Sequence, residues 1–211
     1  MSPQEFKQRW IEVKYPLSPI SAERVNRFSL LDKTRDFLTI AGLPEYTECF
    51  LSFAKDSDDL TFGIVKLTEA YPFLDDEPGF DRYVVIGSCR DGDAIVIDTS
   101  QQDVILELDH EEMFRPMFFN SSIEAMADFL ILSQDFEASV LAEHGEEKRR
   151  KGYFTDAQFE QLRNGMLAAD ERALVEDGFW KEELEIMLSR RQDYVNGIDR
   201  YSGIVIRRVD S

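Results

Sequence analysis

Residues 82–109 read RYVVIGSCRDGDAIVIDTSQQDVILELD. Three short apolar runs stand out in it: Arg82 to Gly87, Ala94 to Asp98 and Asp103 to Leu108, each rich in β-branched residues. Runs of this length bounded by polar turns read as strands. Arg90-Asp91-Gly92-Asp93 is a tight-turn signal, because Asp-Gly tolerates positive φ, and Thr99 to Gln102 makes the next turn. Connections this short leave no room for a crossover helix, so the strands pair antiparallel as a meander. Phe50-Leu51-Ser52-Phe53 and Leu60-Thr61-Phe62-Gly63-Ile64-Val65 read as earlier strands of the same sheet.

Helices flank the meander. Upstream, Ser21 and Glu23 suit a helix start, and Val25, Phe28, Leu31, Phe37, Leu38 and Ala41 supply an apolar stripe. One irregular step beside Leu30 leaves open one helix or two meeting near Ser29. Gly42-Leu43-Pro44 stops the segment, with Gly as a left-handed cap and Pro barring continuation. Downstream, Ser121 and Glu124 match a capping box that opens a helix. That helix has two apolar faces, Ile123-Met126-Ala127-Leu130-Leu141 and Phe129-Leu132-Phe136-Val140, so it needs cover on two sides, the sheet and a C-terminal addition. Gly145 to Gly152 reads as a charged linker. A second capping box at Thr155 opens a helix through Met166, another helix runs from about Phe179, and Gly203 to Ile206 adds a last short strand. The expected fold class is α+β: an antiparallel sheet of about five or six strands packed with helices, residues 1–144 forming the core and residues 145–211 a helical extension packed on it.

Composition narrows the function. The 211 residues are 43% hydrophobic and 12% aromatic, enough for a packed core, and no apolar run reaches membrane-spanning length. The polar N-terminus is unlike a signal peptide, so a cytoplasmic location is expected. Formal charge is −18; residues 1–144 hold 28 acids against 12 bases, and residues 55–112 hold 16 against 4. Such a surface repels phosphate backbones and anionic lipid, which argues against nucleic-acid and membrane partners. Cys49 and Cys89 are too few for a disulfide framework, lack zinc-finger spacing and read as small buried residues.

Signals for chemistry are sparse. His110 lies at a strand end and His144 at a helix end, and both read as structural or exposed. The sequence contains no G-x-S-x-G, H-E-x-x-H, P-loop or G-x-G-x-x-G motif. Asp56-Ser57-Asp58-Asp59 and Asp75 to Asp81 offer several oxygens but not an EF-hand loop, and read as solvated acidic loops. No catalytic residue, cofactor or metal is therefore assigned. An acid-pair enzyme would require a deep pocket lined by convergent, partly buried carboxylates.

The order of these elements resembles the SUKH superfamily. Phe37 to Pro44 is similar to its helix-ending G-L-P. Tyr83 to Gly87 is similar to its strand ending in glycine, and Ala94 to Asp98 with Val104 to Asp109 to the paired strands that follow. Phe119 to Leu130 is similar to its closing N-S-S helix. The superfamily includes cell-wall regulators and bacterial immunity proteins. The resemblance implies a non-catalytic immunity protein that neutralises a cognate polypeptide toxin, often a nuclease; the alternative is a regulatory scaffold for a non-toxin protein. Acidity fits a basic toxin domain as partner, and Asp75, Asp76, Glu77, Asp81, Glu111 and Glu112 are the expected partner-binding residues.

Overall fold

The computed structural model describes residues 1–11, 15–47, 49–175, 177–199 and 204–205. The chain enters through helix α1 (Pro3–Arg9), strand β1 (Leu17–Ser18) and helices α2 (Ala22–Val25) and α3 (Asp32–Ile40). The upstream stripe is thus two helices. Leu31 between them is extended, and its N–H donates to Asp103 Oδ2 at 2.7 Å, which pins the break to the sheet. Helix α1 lies outside the expected elements, although its signals are local: Ser2 caps it, Pro3 opens it, and Phe6 is fully buried against Phe37.

Gly42 ends α3 at φ +66° and leads into strand β2 (Leu43–Pro44), which pairs with β1. A Cβ there would sit 2.1 Å from the Ser18 carbonyl oxygen. Gly42→Ala is therefore expected to lose about 3 kcal/mol, combining left-handed strain with a backbone clash. Chemical denaturation should give a lower midpoint at an unchanged slope; an unshifted midpoint would mean that the β1–β2 pair is not rigid.

Strands β3 (Ser52–Phe53) and β4 (Val65–Lys66) are followed by helix α4 (Leu67–Ala70) and a 3₁₀ turn at Pro72–Leu74. The meander then comprises β5 (Tyr83–Ser88), β6 (Ala94–Asp98), β7 (Val104–Asp109) and β8 (Arg115–Asn120). These form one six-stranded antiparallel sheet of order β3-β5-β6-β7-β8, with β4 also pairing β5. The α+β class stands, but two strand assignments change. Residues 60–63 form a turn, in which Asp59 accepts from the backbone N–H groups of Thr61 and Gly63. Strand β8 is an addition to the strands expected from sequence. Its Pro116 is tolerated because β8 lies at the sheet edge, where one side of the backbone needs no partner.

Helix α5 (Ile123–Arg150) begins one residue later than expected: Ser122, not Ser121, caps it by accepting from Ala125 N at 3.3 Å. The helix is interrupted at Gly145 (φ 79°, ψ 167°), where the expected linker begins, and a short helical segment runs on from there to Arg150. Two of the four bases at 148–151 are held by neighbouring acids, Arg149 by Glu146 and Glu137, and Lys151 by Glu147. Leu141, expected on a buried face, is exposed.

Helices α6 (Asp156–Asp170), α7 (Arg172–Val175) and α8 (Phe179–Val195) follow, then the strand pair β9 (Ile198–Asp199) and β10 (Ile204–Val205). Thr155 and Gln158 form the expected capping box of α6. Ile204 and Val205 of the expected last strand form β10; Gly203 and Ile206 lie outside the described residues. One continuous core runs through sheet and helices. Phe129 of α5 and Phe119 of β8 both meet Trp180 of α8, and Phe136 meets Phe154. Both cysteines are free and buried. Among the described residues, no helix is long and apolar enough to cross a membrane.

Candidate functional site

A cleft of about 620 Å³ opens where the β5–β6 hairpin, β7 and the start of α8 converge. The tight turn contributes Asp91 and Asp93; β7 and the turn after it contribute Glu107, Asp109, His110 and Glu111; and the last wall brings Asp177, Lys181, Glu182 and Glu185. Eight carboxylates thus face one hollow with a single ammonium group and one imidazole. Two local features hold the walls in place. Gly178 lets α8 start against β8, since a Cβ there would lie 2.7 Å from the Phe118 carbonyl oxygen. Arg90, at the hairpin, pairs with Glu183 and Glu182 of α8 and lies over the Phe179 ring.

The rim charges are only partly compensated. Lys181 is engaged by Asp177 at 2.7 Å, which holds that carboxyl below the usual carboxylate range. Asp93 accepts from His110 through both the backbone N–H (2.9 Å) and Nδ1 (2.6 Å), and this bond holds the imidazole above its usual range. Glu111 and Glu185 make no ion pair among the described residues.

The floor differs from the rim. Glu107 sits mid-strand, directly opposite Ile95 on β6 and Met117 on β8, and is 5% exposed. Its carboxyl is pushed up to about 7, first by burial, with nearby Asp93, Glu182 and Asp91 adding to the rise and a hydrogen bond from Cys89 opposing it. A carboxyl that binds its proton more tightly folded than unfolded stabilises the fold fully below pH 4.5, and that contribution is lost as pH rises through 7. In metal-free buffer, Glu107→Gln is therefore expected to gain stability relative to wild type between pH 5 and 8, with slopes differing by up to ~1.4 kcal/mol per pH unit. Parallel stability–pH curves would show that Glu107 is solvated. Burial likewise pushes the thiols of Cys49 and Cys89 up to about 12, far from a reactive thiolate.

The six expected partner-binding residues are all exposed. Glu111 lines the cleft; Glu112, beside it, is paired with Arg115 at 2.6 Å. Asp75, Asp76, Glu77 and Asp81 lie on the segment between α4 and β5. The β7–β8 turn folds back over that segment: Phe114 meets Tyr71 (4.8 Å), Phe73 (6.1 Å) and Phe80 (6.3 Å). The two acidic segments are neighbours through this ring cluster. Asp91, Asp93, Glu107, Asp109, Asp177, Glu182 and Glu185 are absent from the sequence-based expectation. One of them carried a signal, the lone carboxylate inside the apolar run Val104-Ile105-Leu106-Glu107-Leu108.

A family model described as SUKH-4 immunity protein matches residues 17–186. The chain belongs to the SUKH-4 immunity protein family. No curated protein and no solved structure matches it. The SUKH-4 match runs from β1 into α8, so it takes in the helices after Gly145, beyond the resemblance between Ser21 and Leu141, and every residue lining the acidic cleft.

Proposed function

We propose that this SUKH-4 protein is a bacterial immunity protein that acts in the cytoplasm, without catalysis, by docking an acidic face onto a basic polypeptide toxin. The observation that carries the reading is the cleft, eight carboxylates around one lysine and one histidine. Asp75, Asp76, Glu77, Asp81, Glu111 and Glu112 extend the face across the adjoining turns. Nucleases grip phosphate backbones with cationic clefts, so a nuclease domain is the toxin class that such a face fits best. Co-expression with the polypeptide encoded beside it, followed by affinity capture and a growth assay, tests the proposal. A stable complex and rescued growth are expected. Free passage of every neighbouring candidate toxin through the column would overturn it.

A second reading is favoured by one feature: Glu107 and Asp93 are convergent and partly or wholly buried in a cleft, as an acid-pair hydrolase would require. Turnover by the purified protein that disappears in Glu107→Gln would establish it in place of the first.

A further inference from the structure

The floor of the cleft holds a donor set unlike its rim. One ligand atom each from Cys89, Asp93 and Glu107 lies within 4.8 Å of the others. Local structure brings them together. Cys89 and Asp93 bracket the Asp-Gly turn, with Cys89 N donating to the Asp93 carbonyl at 3.0 Å, and Glu107 stands on the neighbouring strand. Cys89 and Glu107 are 6% and 5% exposed and Asp93, at the rim above them, is half-buried, so this is a cluster of mixed sulfur and oxygen donors rather than of solvated carboxylates alone.

Two further observations point to a cation. Among the described residues, no N–H or hydroxyl reaches the carboxyl of Glu107, which is 5% exposed and lines the cleft. A polar group this buried without such a donor is costly, and a bound cation would compensate it. Asp93 is in turn held by His110, whose backbone N–H and Nδ1 both reach Oδ1, the kind of hydrogen-bonded support a ligating carboxylate has.

We propose that Cys89, Asp93 and Glu107 form a zinc site in the floor of the cleft, with water in the fourth position. Zinc takes sulfur, nitrogen and carboxylate oxygen together in tetrahedral sites, at about 2.3 Å to sulfur and about 2.0–2.2 Å to oxygen. Closing round the ion draws these donors inward by about 1 Å. Coordination replaces the thiol proton of Cys89, which leaves to solvent, by a Zn–S bond. The site is independent of any toxin: failure of the affinity capture leaves it standing, and its own failure leaves the docking proposal standing.

Cobalt(II) titrated into the full-length, chelator-stripped protein is the test, because a thiolate-to-cobalt charge-transfer band reports sulfur ligation directly. One equivalent should saturate the band, and zinc should then bleach it. Cys89→Ser should abolish the band and Cys49→Ser should keep it. Glu107→Gln should weaken zinc binding on the order of 100-fold, His110→Ala about 10-fold, and Glu185→Gln, on the rim, by less than about 2-fold. Absence of the band in wild type would overturn the site, a result that needs no variant to fold. So would a band that survives Cys89→Ser, or an equal loss in Glu185→Gln and Glu107→Gln, which would reduce the effect to diffuse attraction by acids.

Discussion

Trp180→Ala is expected to remove about 5 kcal/mol of folding stability, at the upper end for truncation of a single buried side chain. Trp180 is 1% exposed and meets three rings, Phe119 at 5.2 Å, Phe129 at 5.1 Å and Phe179 at 5.1 Å. Truncating a buried tryptophan typically costs about 3–5 kcal/mol through lost contacts and the cavity left behind. A polar penalty adds to that. Trp180 Nε1 donates to Asn120 Oδ1 at 2.9 Å, and Asn120 is fully buried, so its carbonyl would be stranded at about 1–3 kcal/mol. Trp180→Phe keeps most of the ring volume and loses the donor, so it should cost about 2 kcal/mol. The gap between the two variants separates packing from the hydrogen bond.

The same residues make a statement about organisation. Asn120 Nδ2 donates to Asp170 Oδ2 at 3.3 Å, and Ser121 donates to Asp170 through N (2.7 Å) and Oγ (2.8 Å). The junction of β8 and α5 is therefore held by one residue from the end of α6 and another from α8. We propose that the helices beyond residue 145 unfold together with the sheet. Urea denaturation followed by near-ultraviolet and far-ultraviolet dichroism should give coincident transitions in wild type. A loss below about 1 kcal/mol in Trp180→Ala, or two separated transitions, would mean that the helices are an independent unit.

Legibility in the sequence follows locality. Strands β5, β6 and β7 are readable because β-branched runs and an Asp-Gly turn are local signals, and β6 coincides with its expected range. Strand β8 escapes because Arg115-Pro116-Met117 lacks that composition; its pairing with β7 is decided by tertiary context. Leu60 and Phe62 mislead in the opposite sense. They carry strand composition but stand exposed on a turn held by Asp59. The acidic segment 75–81 is visible as a dense local run. The cleft is not: its carboxylates come from 91–93, 107–111 and 177–185, and only the meander and the docking of α8 bring them together. Ser121 matches the local motif of a helix cap, while its hydroxyl serves Asp170, 49 positions away.

Neutralising the cleft rim should slow association with the toxin by about 10- to 100-fold at low salt, with a smaller change in dissociation. The variant to use is Glu111→Gln/Glu182→Gln/Glu185→Gln, which spares the buried floor and the Arg90–Glu183 contact. Steering arises from the summed field of many charges, so the effect belongs in the on-rate and should shrink as ionic strength rises past about 0.15 M, where the screening length is about 8 Å. Charge reversal at Asp75, Asp76 and Glu77 should act in the same direction, slowing association and flattening its salt dependence, since these side chains are exposed and unpaired among the described residues. Lys181→Gln supplies the opposite sign: removing the one lysine of the cleft should speed association. Solubility alone, the simpler reason for a charge of −18, predicts none of these rate changes. A rival surface is available for comparison, the groove at the β3–β4 edge where Tyr46 (54% exposed) and Phe62 (50% exposed) stand open. If Tyr46→Ala/Phe62→Ala abolishes binding while the rim variant associates at the wild-type rate and salt slope, the acidic face is not where the toxin docks.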